Sequence, residues 1–291
     1  MIGTWVGVKG WSVIAVPAPP STTGFKLLVH NYTETLTFTA VDVPVENKGG
    51  AQTQFIRAVK YEQVIHAFNP VQPLPEDPDQ EPELETSELI HVENGMLMLL
   101  DDIRPESGSD KPEFNIARSA TIPHGDTALI LGKDVVTFTR PSIPDICTTP
   151  SKSDQVGMPP DFLAQYQQEQ KKQTIYDIVA KEDSLIFNVF NPNQNLQRDN
   201  NGLDVIKTTH IALDSDNEGG VINIPFIVKH ANATRFTADF WLQTIKLPMS
   251  GDNFEQLQYS QTVDIEFHKK FNGEPGLITW PHVTINTLTK Q

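Results

Sequence analysis

The chain has 291 residues, 38% of them hydrophobic and 20% charged, with a formal net charge of −15. That is enough apolar material for a core, while so acidic a chain offers no basic patch for a nucleic-acid backbone or an anionic membrane surface. A single cysteine, Cys147, excludes an internal disulfide, and with no 18-residue apolar run and no secretion leader, a cytoplasmic protein without a membrane span is expected.

Period-two alternation recurs along the chain and predicts strands. The runs lie near 11–16, 25–31, 33–41 and 54–66, and in 33–41 Glu34, Leu36, Phe38 and Ala40 share one face against Thr35, Thr37 and Thr39. Residues 70–88 are rich in proline and acid and read as an exposed loop. Runs at 87–92 and 95–100 follow, separated by Asn94-Gly95, a tight-hairpin signal. Further runs fall near 114–122, 127–131 and 134–139.

The segment from about 159 to 199 is the one helical stretch. Pro159-Pro160-Asp161 reads as a helix start, Phe162 and Tyr166 sit one turn apart, and Ile175, Ile178 and Val179 form a second stripe. It packs on the exterior of the sheet or forms a lid over one end. Strands resume near 204–213, 220–228 and 234–246. In 256–268, Leu257, Tyr259, Gln261, Val263, Ile265 and Phe267 face away from Gln258, Ser260, Thr262, Asp264, Glu266 and His268.

Many strands without alternating helices imply an all-β sandwich or up-and-down barrel. No internal repeat or second core is evident, so residues 1–291 read as one antiparallel β-barrel domain with a helical insertion. A barrel of this size encloses one small apolar ligand, and a homodimer is compatible with it.

No Gly-x-Ser-x-Gly elbow, phosphate-binding glycine loop or His-Glu-x-x-His is present. His91 and Glu93, two apart on a strand face, can share a metal, but two ligands do not make a site. His124 in Pro123-His124-Gly125 reads as a turn histidine. His282 has different company: in Trp280-Pro281-His282-Val283-Thr284, alternation places Ile278, Trp280, His282 and Thr284 on one face. If that face is interior, a neutral imidazole projects into an apolar, aromatic-walled space, the setting a haem iron asks of its histidine. A satisfied core histidine is the commoner reading of such spacing. Arg235, the obvious cation of the late strands, shares a face with Thr237 and Asp239 and reads as exposed.

Three stretches together resemble the nitrobindin-like haem-binding β-barrels, distant relatives of the lipocalin and fatty-acid-binding folds. They are Gly3-Thr4-Trp5-Val6-Gly7 (with a further glycine at Gly10, one place later than in the family), His91-Val92-Glu93-Asn94-Gly95-Met96-Leu97, and Pro281-His282-Val283 on the last strand. Leu257–Val263 also resembles that family's penultimate strand, and Ile122-Pro123-His124-Gly125 a longer branch of such barrels. The likeness covers most of 1–139 and 204–291. It implies a closed calycin-like barrel whose first and last strands pair, and haem b as cofactor with His282 on the iron. Ile278, Trp280 and Thr284 would lie beside the haem. It further implies a five-coordinate ferric iron suited to NO, peroxynitrite or peroxide. The alternative is a metal-free carrier of a fatty acid or another small apolar ligand.

Overall fold

The structure is a computed structural model, described for residues 1–18, 23–50, 52–67, 88–105, 113–180, 186–248 and 251–291. The acidic stretch read at 70–88 lies outside the described residues except for Glu88. Strands form at β1 (Gly3–Pro17), β2 (Phe25–Ala40), β3 (Val45–Gly49), β4 (Gln52–Ala67), β5 (Glu88–Pro105), β6 (Ile116–Ile122), β7 (Asp126–Thr137) and β8 (Asp204–Asp214). β9 (Gly220–Asn223), β10 (Asn232–Lys246), β11 (Asn253–Lys269) and β12 (Leu277–Lys290) complete the set. Helices are α1 (Ala164–Ala180), α2 (Asn193–Asp199) and α3 (Pro225–His230).

The strands follow the order β2-β1-β12-β11-β10-β8-β7-β6-β5-β4, and β2 also pairs with β4, which closes an antiparallel barrel of ten strands. β3 extends from β4 and β9 lies beside β7. The first and last strands pair, with Trp5 opposite Lys290. Closure leaves no open edge around most of the sheet. β4 ends opposite Tyr32, so among the described residues no strand lies beside Phe25–Asn31 on that side. There the Gln165 side chain stands in for a strand, accepting from Leu27 N and donating to Phe25 O, both at 2.9 Å. Backbone groups that would otherwise go unpaired are thereby satisfied.

Two local readings change, and one strand carries an irregularity. Asn94-Gly95 is no hairpin, because β5 runs straight through it. Gly95 is needed for close approach instead: a Cβ there would stand 1.9 Å from Ser119 O and 2.8 Å from the Tyr61 hydroxyl. Gly95→Ala is therefore expected to destabilise the barrel by about 1–3 kcal/mol, as overpacking does. A denaturation midpoint equal to the parent's would remove that role. Second, the run at 220–228 is a strand only to Asn223, since Pro225 opens α3. The irregularity is a bulge on β1: Gly7 pairs with Glu34 but Gly10 with Tyr32, so three steps on β1 meet two on β2. A Cβ on Gly10, at the end of the bulge, would run into the Tyr32 ring at 2.1 Å.

Two apolar clusters hold the fold. One fills one end of the barrel with Trp5, Leu36, Phe38, Ile130, Phe240 and Leu257. The other lies between the outer face of the sheet and the helical segment, where Trp11 stacks on Phe187 at 4.0 Å and Phe25 meets Phe162 at 5.4 Å. α2 docks through buried amides: Gln258 donates to Leu196 O at 3.0 Å and Asn200 to Gln258 at 2.9 Å. The insertion thus flanks the barrel, and none of its described residues lines the cavity at the other end, so its placement is not that of a lid. Among the described residues no helix is long and apolar enough to cross a membrane.

Candidate functional site

Alternation sorts each interior strand face into two stretches. On β12, Leu288 belongs to the packed end, while Thr284 and His282 line a cavity at the opposite end. β1 does the same with Trp5 against Ser12 and Ile14, and β2 with Leu36 and Phe38 against Leu28 and His30. The cavity measures about 340 Å³, within the range of small-molecule sites. Its apolar wall includes Ile14, Leu28, Ile65, Ile122, Phe236 and Val263, and four histidines reach it: His30, His91, His124 and His282.

A polar layer separates cavity from packed core. In its first half, the buried Glu34 carboxylate accepts from Gln63 at 2.6 Å, Tyr259 at 2.7 Å and Asn286 at 2.8 Å. Tyr259 is 2.7 Å from the Tyr32 hydroxyl, which donates to Ile285 O at 2.9 Å. Burial raises the Glu34 pKa, against the hydrogen bonds from Asn286, Gln63 and Tyr259.

The second half centres on Arg118, only 4% exposed. It donates to Glu93 at 2.5 Å, to the Tyr61 hydroxyl at 3.0 Å and to Gln261, while Tyr61 donates to Glu93. Its guanidinium lies 5.0–5.3 Å from the ring centroids of Tyr61, Phe240 and Phe236. Burial opposes charge on Glu93, but Arg118, with help from His91 and Tyr61, outweighs it and holds that carboxyl at about 2. Glu93 also lies 3.6 Å from His91 Nε2.

His282 is half-buried and lines the cavity wall. Burial, reinforced by His91, His124 and His30, pushes its pKa down to about 3. Burial likewise lowers His30 and His124, with Glu88 and Asp126 opposing weakly. These three rings are therefore neutral at pH 7. His91 and His124 meet edge-on at 5.7 Å between centroids.

Of the residues predicted together, His282 and Thr284 share the cavity, whereas Ile278 and Trp280 do not line it. They join the outer cluster, Trp280 against Phe25 at 4.6 Å and Phe267 at 5.0 Å, with its indole N–H donated to Phe267 O. Arg235 is paired outside the barrel with Asp214 at 2.5 Å and Asp216 at 3.2 Å. The sequence reading missed Arg118. Its signal was a charge at mid-strand on the face shared by Ile116 and Ala120. Among the described residues, no three His, Cys, Asp or Glu side chains stand close enough to hold a bare metal ion.

No family model and no curated protein matches the chain. Among solved structures, Rv2717c from M. tuberculosis is similar at 13% identity and a TM-score of 0.37, over 100% of this chain and 92% of that one. That likeness is too slight to carry over a function.

Proposed function

We propose that the cavity binds haem b through His282, for chemistry on NO, peroxynitrite or peroxide. One observation carries this reading: a half-buried imidazole held neutral, with no hydrogen bond among the described residues, in a largely apolar-walled cavity. A neutral ring nitrogen with a free lone pair is the donor a haem iron takes. The rest of the wall fits in part. Ile14, Leu28, Ile65, Ile122, Phe236 and Val263 suit a macrocycle face, while among the described residues no lysine or arginine lines the cavity to pair a carboxylate.

When bound, the haem supplies an iron at which small ligands coordinate and exchange electrons. The chain's own residues do the rest. His282 would hold the metal, the apolar side chains would exclude water, and the Ser12 hydroxyl and Gln63 Oε1, both buried and without a hydrogen-bond partner among the described residues, offer hydrogen-bonding positions on the wall.

A fatty-acid carrier would need a cation for the carboxylate. Among the described residues Arg118 is the interior arginine, and it is paired with Glu93 and hydrogen-bonded to Tyr61 and Gln261. The same lack bears on the propionates of a haem, so what separates the two readings is the neutral imidazole of His282 on the cavity wall. Titration of the purified protein with ferric haemin should produce a Soret band, and His282→Ala should weaken retention about ten- to hundredfold with the far-UV spectrum unchanged. Equal haem affinity in both proteins removes His282 from the iron. Absence of a band in the parent, with displacement of a fluorescent fatty acid, returns the alternative.

A further inference from the structure

We infer that β9 and α3 dock the mouth of the cavity onto an uncharged lipid surface, a bilayer of zwitterionic phospholipid. The inference concerns the rim and holds for any apolar guest, so it does not rest on the haem reading.

It begins with a helix in unusual surroundings. Pro225-Phe226-Ile227-Val228 opens α3, and a helix apolar all round normally lies in a core or in lipid. None of the six residues of α3 is buried. Ile222 and Phe226 are 74% and 66% exposed, and Ile224 and Val228 are about half exposed. These side chains follow one another along a single short stretch of chain, so they form a patch rather than scattered surface residues.

Strand register sets the patch beside the cavity. Asn223 pairs with Asp126, and Ile224 N donates to Gly125 O at 2.9 Å. The turn held in this way carries Ile122 and His124, which line the cavity, and so does Phe236 on β10, the strand that α3 leads into. Leu89 is both exposed and a lining residue, so the apolar wall runs out to the surface at the mouth.

Charge selects the occupant. The chain holds 37 acidic residues, yet none falls between Glu218 and Asp239. The cationic groups of the patch are Lys229 and His230 in the last turn of α3, with the Phe226 ring 4.5 Å from that of His230. Asp126, the carboxyl adjoining the patch by register, is half-buried. A stretch without carboxylates can enter a headgroup layer without burying an anion, and the Lys229 stem can reach lipid phosphate. The net charge of −15 opposes an anionic leaflet, which leaves a zwitterionic one. An apolar guest is concentrated in such a bilayer relative to water, so a mouth seated there meets it at its source.

The test floats the full chain with phosphatidylcholine vesicles on a density gradient. The wild type should rise with the lipid. The double variant Ile222→Asp/Phe226→Asp should do so about tenfold less while keeping its far-UV spectrum and melting temperature, because neither side chain is buried. Adding phosphatidylserine should lower the floated fraction at low salt. In a separate variant, Phe226→Trp, emission should be quenched by brominated phosphatidylcholine beyond the level of the parent's own tryptophans. A wild type that does not float, a double variant that floats equally, or a Phe226→Trp protein quenched no more than the parent overturns the inference. Flotation that requires phosphatidylserine overturns it too. A wild type that sediments as a dimer without floating, with the double variant monomeric, would instead make the patch an interface between two copies.

Discussion

Replacing Arg118 by methionine is expected to lower stability by about 3–5 kcal/mol, the range for removing one partner of a buried ion pair. The loss comes from what remains. Glu93, 1% exposed, would keep its charge with Tyr61 and His91 as its remaining polar contacts among the described residues. Its carboxyl, now held at about 2 by Arg118, should move up once the guanidinium is gone. The variant should then regain stability as the pH falls and Glu93 takes a proton, opposite to the parent's trend. Adding Glu93→Gln should recover much of the loss, because removing both charges is far milder than removing one. Chemical denaturation of the two single variants and the double variant measures this directly. A loss below about 1 kcal/mol for Arg118→Met would mean that the pair does not anchor the polar layer.

Lowering the pH from 7 to 5 is expected to cost the haem-free protein about 1–2 kcal/mol through His282, the lower figure if cavity water screens the ring. In the folded chain this imidazole resists protonation until about pH 3, whereas in the unfolded chain it binds a proton near the ordinary value of 6.5. Between those values the unfolded state holds more protons, so stability falls as the pH falls. His30 and His124, also lowered, act with the same sign. Glu34 acts with the opposite sign, because its raised pKa favours the folded state while it is protonated. Comparison with His282→Gln isolates the histidine: the parent's advantage over the variant should shrink by that amount between pH 7 and 5. Parallel stability curves would show that the ring is not buried as described.

Much of this architecture could be read in the alternation of single strands. The faces of 33–41 and 256–268 place Leu36, Phe38, Leu257 and Tyr259 inward, and all are buried in the barrel. That His282 faces the interior could be read too, although Ile278 and Trp280, the company that marked it out, lie in the outer cluster. Readings went astray where a local signal met a distant partner. Asn94-Gly95 reads as a turn until Tyr61 and Ser119 are seen to crowd Gly95 from the adjacent strands. Alternation put Trp280 beside His282, but Phe25 and the helical segment claim it. Arg118 was hidden because its partners, Glu93 and Gln261, lie 25 and 143 residues away. No window along the chain shows that three polar residues on three strands neutralise one another.

The polar layer across the barrel has a consequence for how the protein can change. It works as a bulkhead. On one side Trp5, Leu36, Phe38, Phe240 and Leu257 pack against each other without reference to any ligand. On the other, residues such as Ile14, Leu28, Ile65 and Val263 border open space and support little but the cavity's shape. Substitutions in that second group should be far better tolerated than in the first, since a wall facing a void loses fewer packing contacts when it is trimmed. The same ten strands then offer two separable parts, a foundation that resists variation and a chamber that can be recarved for another guest.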